Sequence, residues 1–355
     1  MKIIISKSIL ENILIHAGPF LEKKDTSQIT SHIYLHVSNS NLTIKATDYE
    51  IGFLITTNNL NILKDGTTTA NGKKFLDIIR ILKDGDINLE LINNILHISQ
   101  ANSKFKLPTF EHSEFPEFPT YKNKAKIQID SQILIDSLKK ITPAIDTNNP
   151  KFELNGALMD IQRDIINFAS TDTRRLAVVT LNNNSETELS IIIPKKAIIE
   201  IQKLFFENIE IYYDETNLII ISEQYTFFTK LINGKFPPYA RIIPQEIEKN
   251  FTLPKAKMIE SIKQITTIST DVKITFHNNL ITFESLSDDN IEAKTAIEFP
   301  TNLEEPYSLA INSRYLLDFL NVINSSEFTI GLNESNLPFI LTDTNFKTVV
   351  MPIVI

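Results

Sequence analysis

The sequence predicts an α+β fold made of three tandem copies of one unit, each with two helices and several antiparallel strands. Two observations predict the repeat. The segments ISKSILENIL from Ile5, IDSQILIDSL from Ile129 and LPKAKMIESI from Leu253 begin 124 residues apart in both steps. Behind each of them the same succession of helical and alternating patterns returns in the same order. A third observation sets the boundaries: Pro and polar residues cluster at FEHSEFPEFPTYKNKAK, residues 110–126, and at GKFPPYARIIPQEIEKN, residues 234–250. These give domains 1–120, 127–244 and 249–355, each of ordinary single-domain size.

Each element has a local reason. The first segments enter through a polar or Pro-Lys start and then place apolar residues at helical spacing, such as Ile9, Ile13 and Leu14, or Ile133, Leu134 and Leu138. NLTIKATDYEIG from Asn41, IINFASTDTRRLA from Ile165 and LITFESLSDDNIEA from Leu280 alternate and then break into a polar turn, as half-buried strands do. NGKKFLDIIRIL, PKKAIIEIQKLF and NSRYLLDFLNVI return to helical spacing. INLELINNILHISQ, IEIYYDETNLIIISEQYTFF and FTIGLNESNLPFILTD read as hairpins, with Asn-rich or Asp-rich turns between apolar runs. Only 8 glycines serve 355 residues, so Asn, Asp and Pro must make the turns.

Composition excludes several classes. Hydrophobic residues are 42% and charged residues 22%, values of a folded globular chain. With no cysteine there is no disulfide, thiolate metal site or cysteine nucleophile, which fits a reducing cytoplasm. The N-terminal stretch is broken by Lys7, Glu11 and His16, unlike a secretory signal, and no apolar run is long enough to span a membrane. No phosphate-cradling glycine loop and no Gly-x-Ser-x-Gly elbow is present. His32 and His36 lie two pleats apart in an alternating run, with no third ligand suggested, so no metal or cofactor is expected. Thr47-Asp48 and Thr171-Asp172 recur at the repeat spacing. They read as a shared turn whose Asp bonds local amides, the alternative being a carboxylate-based hydrolytic site. Ser287-Asp288-Asp289 is the third copy of that turn.

Charge is segregated. Net charge is −8, which as a bulk value argues against nucleic acid. The six helical windows 7–20, 72–83, 131–144, 195–205, 255–268 and 313–323 nevertheless hold 14 bases against 6 acids, leaving the remainder with 21 bases and 37 acids. Positive helices on an acidic chain suit a partner met by the helices alone, although lysines on any wet helix face account for part of the excess.

LNGALMD from Leu154, TDTRRLA from Thr171, GKFPPYARIIP from Gly234 and the terminal VVMPIVI from Val349 resemble, over the whole chain, the bacterial sliding-clamp family of DNA polymerase III beta subunits. The resemblance implies a head-to-tail homodimer, a ring of six similar domains with helices lining the hole, held on duplex DNA without reading its sequence. It implies no catalysis and no cofactor. DNA contacts fall by resemblance on Lys24 and Asn148, and on Lys73 and Lys195. The partners implied are the polymerase III alpha subunit, the clamp loader and other proteins carrying a clamp-binding motif, docking as short peptides. The groove for them maps onto Leu154, Thr171, Thr173, Arg174, Arg175, Leu176, Pro237, Arg241 and Ile242, and in the third unit onto Tyr315, Pro338, Val349, Met351, Pro352 and Ile353. Arg175 and Arg241 are expected to bond peptide carbonyls there. The chain departs from the family pattern at Thr173-Arg174, where a glycine-histidine pair is usual, at Pro338 for serine and at Val354 for arginine. Phe105 and Leu107 map onto the dimer seam, with Ile268 as partner. A non-DNA scaffold built on the same repeats is the rival reading.

Overall fold

The computed structural model describes residues 1–184, 188–206, 208–286 and 291–354. It contains six α-helices: α1 (Lys7–Ala17), α2 (Gly72–Ile81), α3 (Ser131–Ile141), α4 (Lys195–Leu204), α5 (Lys255–Thr266) and α6 (Ser313–Val322). All six expected windows therefore hold a helix, and the ends differ for local reasons. After α1, Gly18-Pro19 tightens the chain into a short 3₁₀ turn (Gly18–Phe20), and Pro143 does the same beyond α3 (Thr142–Ala144). At the other ends, Asn71 accepts a bond from Lys74 N at 3.0 Å, and Asn312 one from Arg314 N at 3.1 Å. The expected apolar face of α3 is corrected at one position: Ile133 is 47% exposed in the first turn, while Leu134, Ile135 and Leu138 are buried. Ser287-Asp288-Asp289 lies outside the described residues.

The chain forms two compact units, residues 1–132 with 199–231, and residues 133–198 with 232–355. The first holds two antiparallel sheets. One has five strands in the order Asn61–Lys64, Lys2–Ser6, Asp86–Ile92, Ile95–Gln100 and Ser103–Pro108. The other has eight, running Ala125–Ile127, Glu210–Tyr213, Asn217–Ile221, Tyr225–Lys230, Ile51–Thr57, Asn41–Thr47, His32–Ser38 and Gly66–Asn71. The second unit repeats the plan with an eight-stranded sheet, Leu189–Pro194, Gly156–Ile161, Ile165–Thr171, Arg175–Asn182, Phe346–Val350, Phe339–Asp343, Glu327–Leu332 and Lys249–Pro254. Its other sheet has four strands, Lys294–Glu298, Leu280–Ser285, Asp271–Phe276 and Tyr307–Asn312.

Each eight-stranded sheet joins strands of two successive repeats. Ile51–Thr57 pairs with Tyr225–Lys230, and Arg175–Asn182 pairs with Phe346–Val350, all antiparallel. The compact units cut across the second repeat because backbone ladders cross the repeat boundary, whereas hydrophobic periodicity reports only each strand and helix by itself. Pleat alternation then aims one row of side chains inward: Ile33, Leu35, Val37, Leu42 and Ile44 are all within 1% of full burial. Phe20 stacks on Phe53 at 5.3 Å in the first unit, and Phe319 on Phe346 at 5.1 Å in the second. Among the described residues no helix is long and apolar enough to cross a membrane.

One device recurs in all three repeats. The first residue of a helix is a lysine whose ammonium donates to a carbonyl at the end of another helical segment. Lys7 Nζ reaches Leu82 O at 2.6 Å, just past α2; Lys255 Nζ reaches Ile323 O at 2.7 Å, just past α6; Lys195 Nζ reaches Ile145 O at 2.6 Å, just past the turn after α3. A cation there satisfies an orphan carbonyl and meets the negative end of the helix dipole.

Candidate functional site

The second unit packs an apolar cluster where its eight-stranded sheet meets the segment after residue 231, at the place of the expected trough. Leu154, Leu158, Leu176, Val178, Phe236, Ile340 and Val349 form its floor, and Ile232, Tyr239, Ile243 and Ile247 pack against them half-exposed. The register sets Leu176 opposite Val349 and Arg175 opposite Val350. The terminal apolar run therefore divides in two. Residues Phe346–Val350 are a central strand, while Met351 N donates to Arg174 O at 2.9 Å and Ile353 makes a single bridge to Ala310. Pro352, lacking a donor, falls where the ladder stops. Met351 is 40% exposed and Val354 82%.

Most of the residues expected to form the groove lie in or beside this cluster. Leu154, Thr171, Leu176 and Val349 are floor residues, buried by their own unit, and Thr173, Arg174, Arg241 and Ile242 are exposed beside it. Pro237, Tyr315, Pro338, Pro352 and Ile353 are half-exposed. Phe236, Tyr239, Ile243 and Ile340 were missed. The first three sit inside the GKFPPYARIIP motif, whose apolar spacing was the available signal.

Arg175 requires correction. Its side chain is 5% exposed and already committed: Nε donates to Asp172 Oδ2 at 3.0 Å, Nη1 to Asp318 Oδ2 at 2.7 Å, and Nη2 to Pro143 O. The guanidinium carbon also lies 4.6 Å from the Tyr315 ring centre. A buried fork that ties three segments of its own chain is not presented to a peptide, so Arg241 and Arg174 remain as the exposed cations of the rim. Burial raises the Tyr239 and Tyr315 phenols above their usual range, keeping both neutral donors at the trough.

The Thr-Asp pairs are turn chemistry. Asp172 Oδ1 accepts from Arg174 N and Arg175 N, both at 3.0 Å; Asp48 Oδ1 accepts from Glu50 N at 3.1 Å and Ile51 N at 3.0 Å. The two histidines likewise find threonines across the sheet, His32 with Thr69 Oγ1 at 3.2 Å and His36 with Thr67 Oγ1 at 2.8 Å.

Of the residues expected to meet DNA, Lys24, Lys73 and Asn148 are exposed. Lys24 and Asn148 stand on equivalent loops stiffened by carboxylates. Asp25 accepts from Ser27 Oγ at 2.6 Å, Ser27 N at 3.0 Å and Gln28 Nε2 at 3.1 Å, bonds that hold its carboxyl below the usual range. Asp146 Oδ2 accepts from Asn149 Nδ2 at 2.6 Å, leaving Asn148 at a φ of 62°. Lys195 is corrected: its ammonium is bound to Ile145 O and, at 3.0 Å, to Thr147 Oγ1, and burial lowers its pKa. It braces the Asn148 loop, and the neighbouring Lys196 is the exposed cation.

At the expected seam, Ser103–Pro108 is an edge strand, as is Lys294–Glu298 in the other unit. Phe105 is half-exposed and Ile268 is 39% exposed, but Leu107, opposite Leu96, is only 5% exposed and belongs to the core of its own sheet.

Comparison with known proteins gives one consistent answer. The family models of the DNA polymerase III beta subunit match in order: the N-terminal domain at residues 1–119, the central domain at 128–238 and the C-terminal domain at 240–354. The beta sliding clamp of Helicobacter pylori is 41% identical over 353 residues, 97% of this chain and 94% of that one. That of Buchnera aphidicola is 27% identical, over 95% and 94%. The crystal structure of the Helicobacter pylori beta clamp bound to a DNA ligase peptide matches with a TM-score of 0.94 at 40% identity, covering 100% of both chains. The beta subunit of Pseudomonas aeruginosa matches at 0.91 with 22% identity, a likeness of fold.

Proposed function

The chain belongs to the DNA polymerase III beta-subunit family, whose members are processivity factors and not catalysts, and on that premise we propose that it is a sliding clamp. As such it encircles duplex DNA as a head-to-tail homodimer in the cytoplasm and tethers the replicative polymerase. The carrying observation is that all three repeats match the family's three domains in order and end to end.

The physical features support this reading. Exposed lysines on Gly72–Ile81 and on the loop of Lys24 reach phosphates without reading base edges, so binding is sequence-independent and salt-sensitive. The free edges at Ser103–Pro108 and Lys294–Glu298 suit a heterologous seam, with Phe105 and Ile268 as its apolar contacts. The trough around Leu176 and Val349 suits an extended peptide from the polymerase alpha subunit, the clamp loader or repair proteins, just as the Helicobacter pylori clamp holds a ligase peptide. Light scattering should give a dimer mass. The loaded protein should stay on nicked circular plasmid and run off once the plasmid is linearised; equal retention on both forms refutes topological binding.

A further inference from the structure

The first unit carries a cavity of about 380 Å³, framed by the turn at Thr47–Tyr49, the linker at Pro116–Pro119, and Asn217, Phe228 and Lys230. Its residues answer, position by position, to those of the trough in the second unit. Thr47 and Tyr49 precede Thr171 and Thr173 by 124 residues; Pro116, Asn217, Phe228 and Lys230 precede Pro237, Pro338, Val349 and Met351 by 121.

The hydrogen bonds repeat too. Thr47 Oγ1 donates to Ile51 O at 2.7 Å as Thr171 Oγ1 does to Arg175 O at 2.6 Å, and Lys230 N donates to Glu50 O at 2.8 Å as Met351 N does to Arg174 O at 2.9 Å. Tyr49 sits at a φ of 73° and Thr173 at 74°. Gly52 faces Phe228 across the ladder where Leu176 faces Val349. The glycine is required, because a Cβ there would lie 1.9 Å from the Phe228 ring. Two aliphatic floor residues have been exchanged for one aromatic, over which Phe118 packs edge-on at 4.9 Å.

The rim charge is inverted. Exposed Arg174 is replaced by exposed Glu50, Pro238 by Glu117, and Arg241 by Thr120, with Glu111 and Glu114 exposed earlier on the same linker. Lys230 offsets Glu50 at 3.4 Å, and Lys45 lies half-buried between the rings of Tyr34 and Phe118. Exposed Glu117 lines the mouth together with the 49% exposed Tyr49, and its charge is felt by Lys45.

We propose that this cavity is a second peptide-docking site, taking a short extended segment whose apolar or aromatic anchor stands next to an arginine or lysine. The proposal rests on the reading of the second-unit trough as a peptide groove. It extends that reading to a partner of opposite charge, so one chain could hold two different segments at once.

The test uses the full-length protein and the peptide Ac-Arg-Leu-Phe-Ser-NH₂ with a fluorinated phenylalanine, titrated by ¹⁹F NMR, beside the same peptide with Asp for Arg. A labelled peptide carrying glutamine and leucine-phenylalanine anchors reports the other groove. The arginine peptide should bind better than its aspartate twin. E117R should weaken it about fivefold or more, as should Y49G, which keeps a backbone suited to positive φ while removing the ring. M351D should leave it unchanged and weaken the glutamine peptide instead. Absence of arginine-peptide binding at millimolar concentration, or its loss in M351D but not in E117R and Y49G, overturns the proposal. Failure of the glutamine peptide alone strikes the second-unit reading. Melting curves matching the parent confirm that the exposed substitutions leave the fold intact.

Discussion

Replacing Arg175 by alanine tests whether this residue is a structural clasp or a ligand for peptide. The side chain makes two charge-assisted bonds, 3.0 Å to Asp172 and 2.7 Å to Asp318, a third to the Pro143 carbonyl, and a face contact with Tyr315. Truncating one partner of a buried ion pair costs about 3–5 kcal/mol when the other is stranded. Stranding here is partial: Asp172 keeps two backbone amides, Asp318 keeps Arg314 Nε at 3.7 Å, and their side chains are 19% and 25% exposed. The Pro143 carbonyl loses its bond outright, worth about 1 kcal/mol. The expected loss is therefore about 3 kcal/mol, or roughly 6–12 °C in the melting of a unit of this size. Arg175→Lys should recover less than half, because an ammonium cannot fork to both carboxylates. Arg174→Ala, its exposed neighbour, should stay within about 0.5 kcal/mol. Urea unfolding of the three variants decides the matter. Equal stability of R175A and R174A, with peptide affinity lost only in R175A, would show the guanidinium to be a ligand and refute the clasp.

Other outcomes follow from the same geometry. Burial pushes the His32 imidazole down to about 4, so the unfolded chain binds its proton first as pH falls; the associated stability is complete above about 6.5 and should drain by about 2–3 kcal/mol towards pH 4. His32→Phe should flatten urea-midpoint profiles in that window, and an unchanged slope removes His32 as the cause. Lys255→Met should cost about 1 kcal/mol by removing the tie to Ile323, whereas Lys73→Gln with Lys74→Gln, four charges per dimer, should leave stability alone and reduce the salt slope of DNA binding by up to about 3.6. Phe105→Glu with Ile268→Glu should give a folded monomer by light scattering that leaves circular DNA; a persistent dimer rejects the seam. Leu107 is unsuited to that experiment, since a charge in its buried position would unfold the sheet. Deleting residues 351–355 should spare the central strand Phe346–Val350 and the fold, yet weaken the glutamine peptide by about 2 kcal/mol or more in a fluorescence titration. Equal affinity with equal melting curves would reduce the tail to packing.

What the sequence made legible was what is local. Helix starts, strand alternation and the Thr-Asp turns depend on neighbours a few residues away, and all stand where their patterns put them. What stayed hidden was pairing over distance. Nothing in GFLITT says that it lies beside Tyr225–Lys230, so the crossing of sheets between repeats could not be read from periodicity. The same limit explains the misplaced roles. Lys195 looks like any helix-face lysine until the Ile145 carbonyl, 50 residues away, is seen beneath it. Arg175 looks like one of two adjacent arginines, although the pleat requires one of them to point inward, and Asp172 three residues earlier marks which.

That hidden pairing also explains how one fold carries unlike surfaces. Each join between repeats needs the same backbone events, a Thr-Asp turn followed by a strand that pairs with the next repeat and is covered by a proline-containing linker. Because the ladder and the turn bonds are made by backbone and by Thr and Asp, the exposed side chains over the join can vary, while the buried pair beneath them varies only together. Leu176 and Val349 can become Gly52 and Phe228, and Arg174 can become Glu50, without moving a strand. Binding character is therefore set by a few side chains over an invariant join. It follows that changing charge alone, Glu50→Arg with Glu117→Gln, should shift the first-unit cavity away from arginine peptides while leaving its melting temperature within about 2 °C. A drop much larger than that, with the glutamine peptide still bound at the other join, would show that the rim is part of the fold after all.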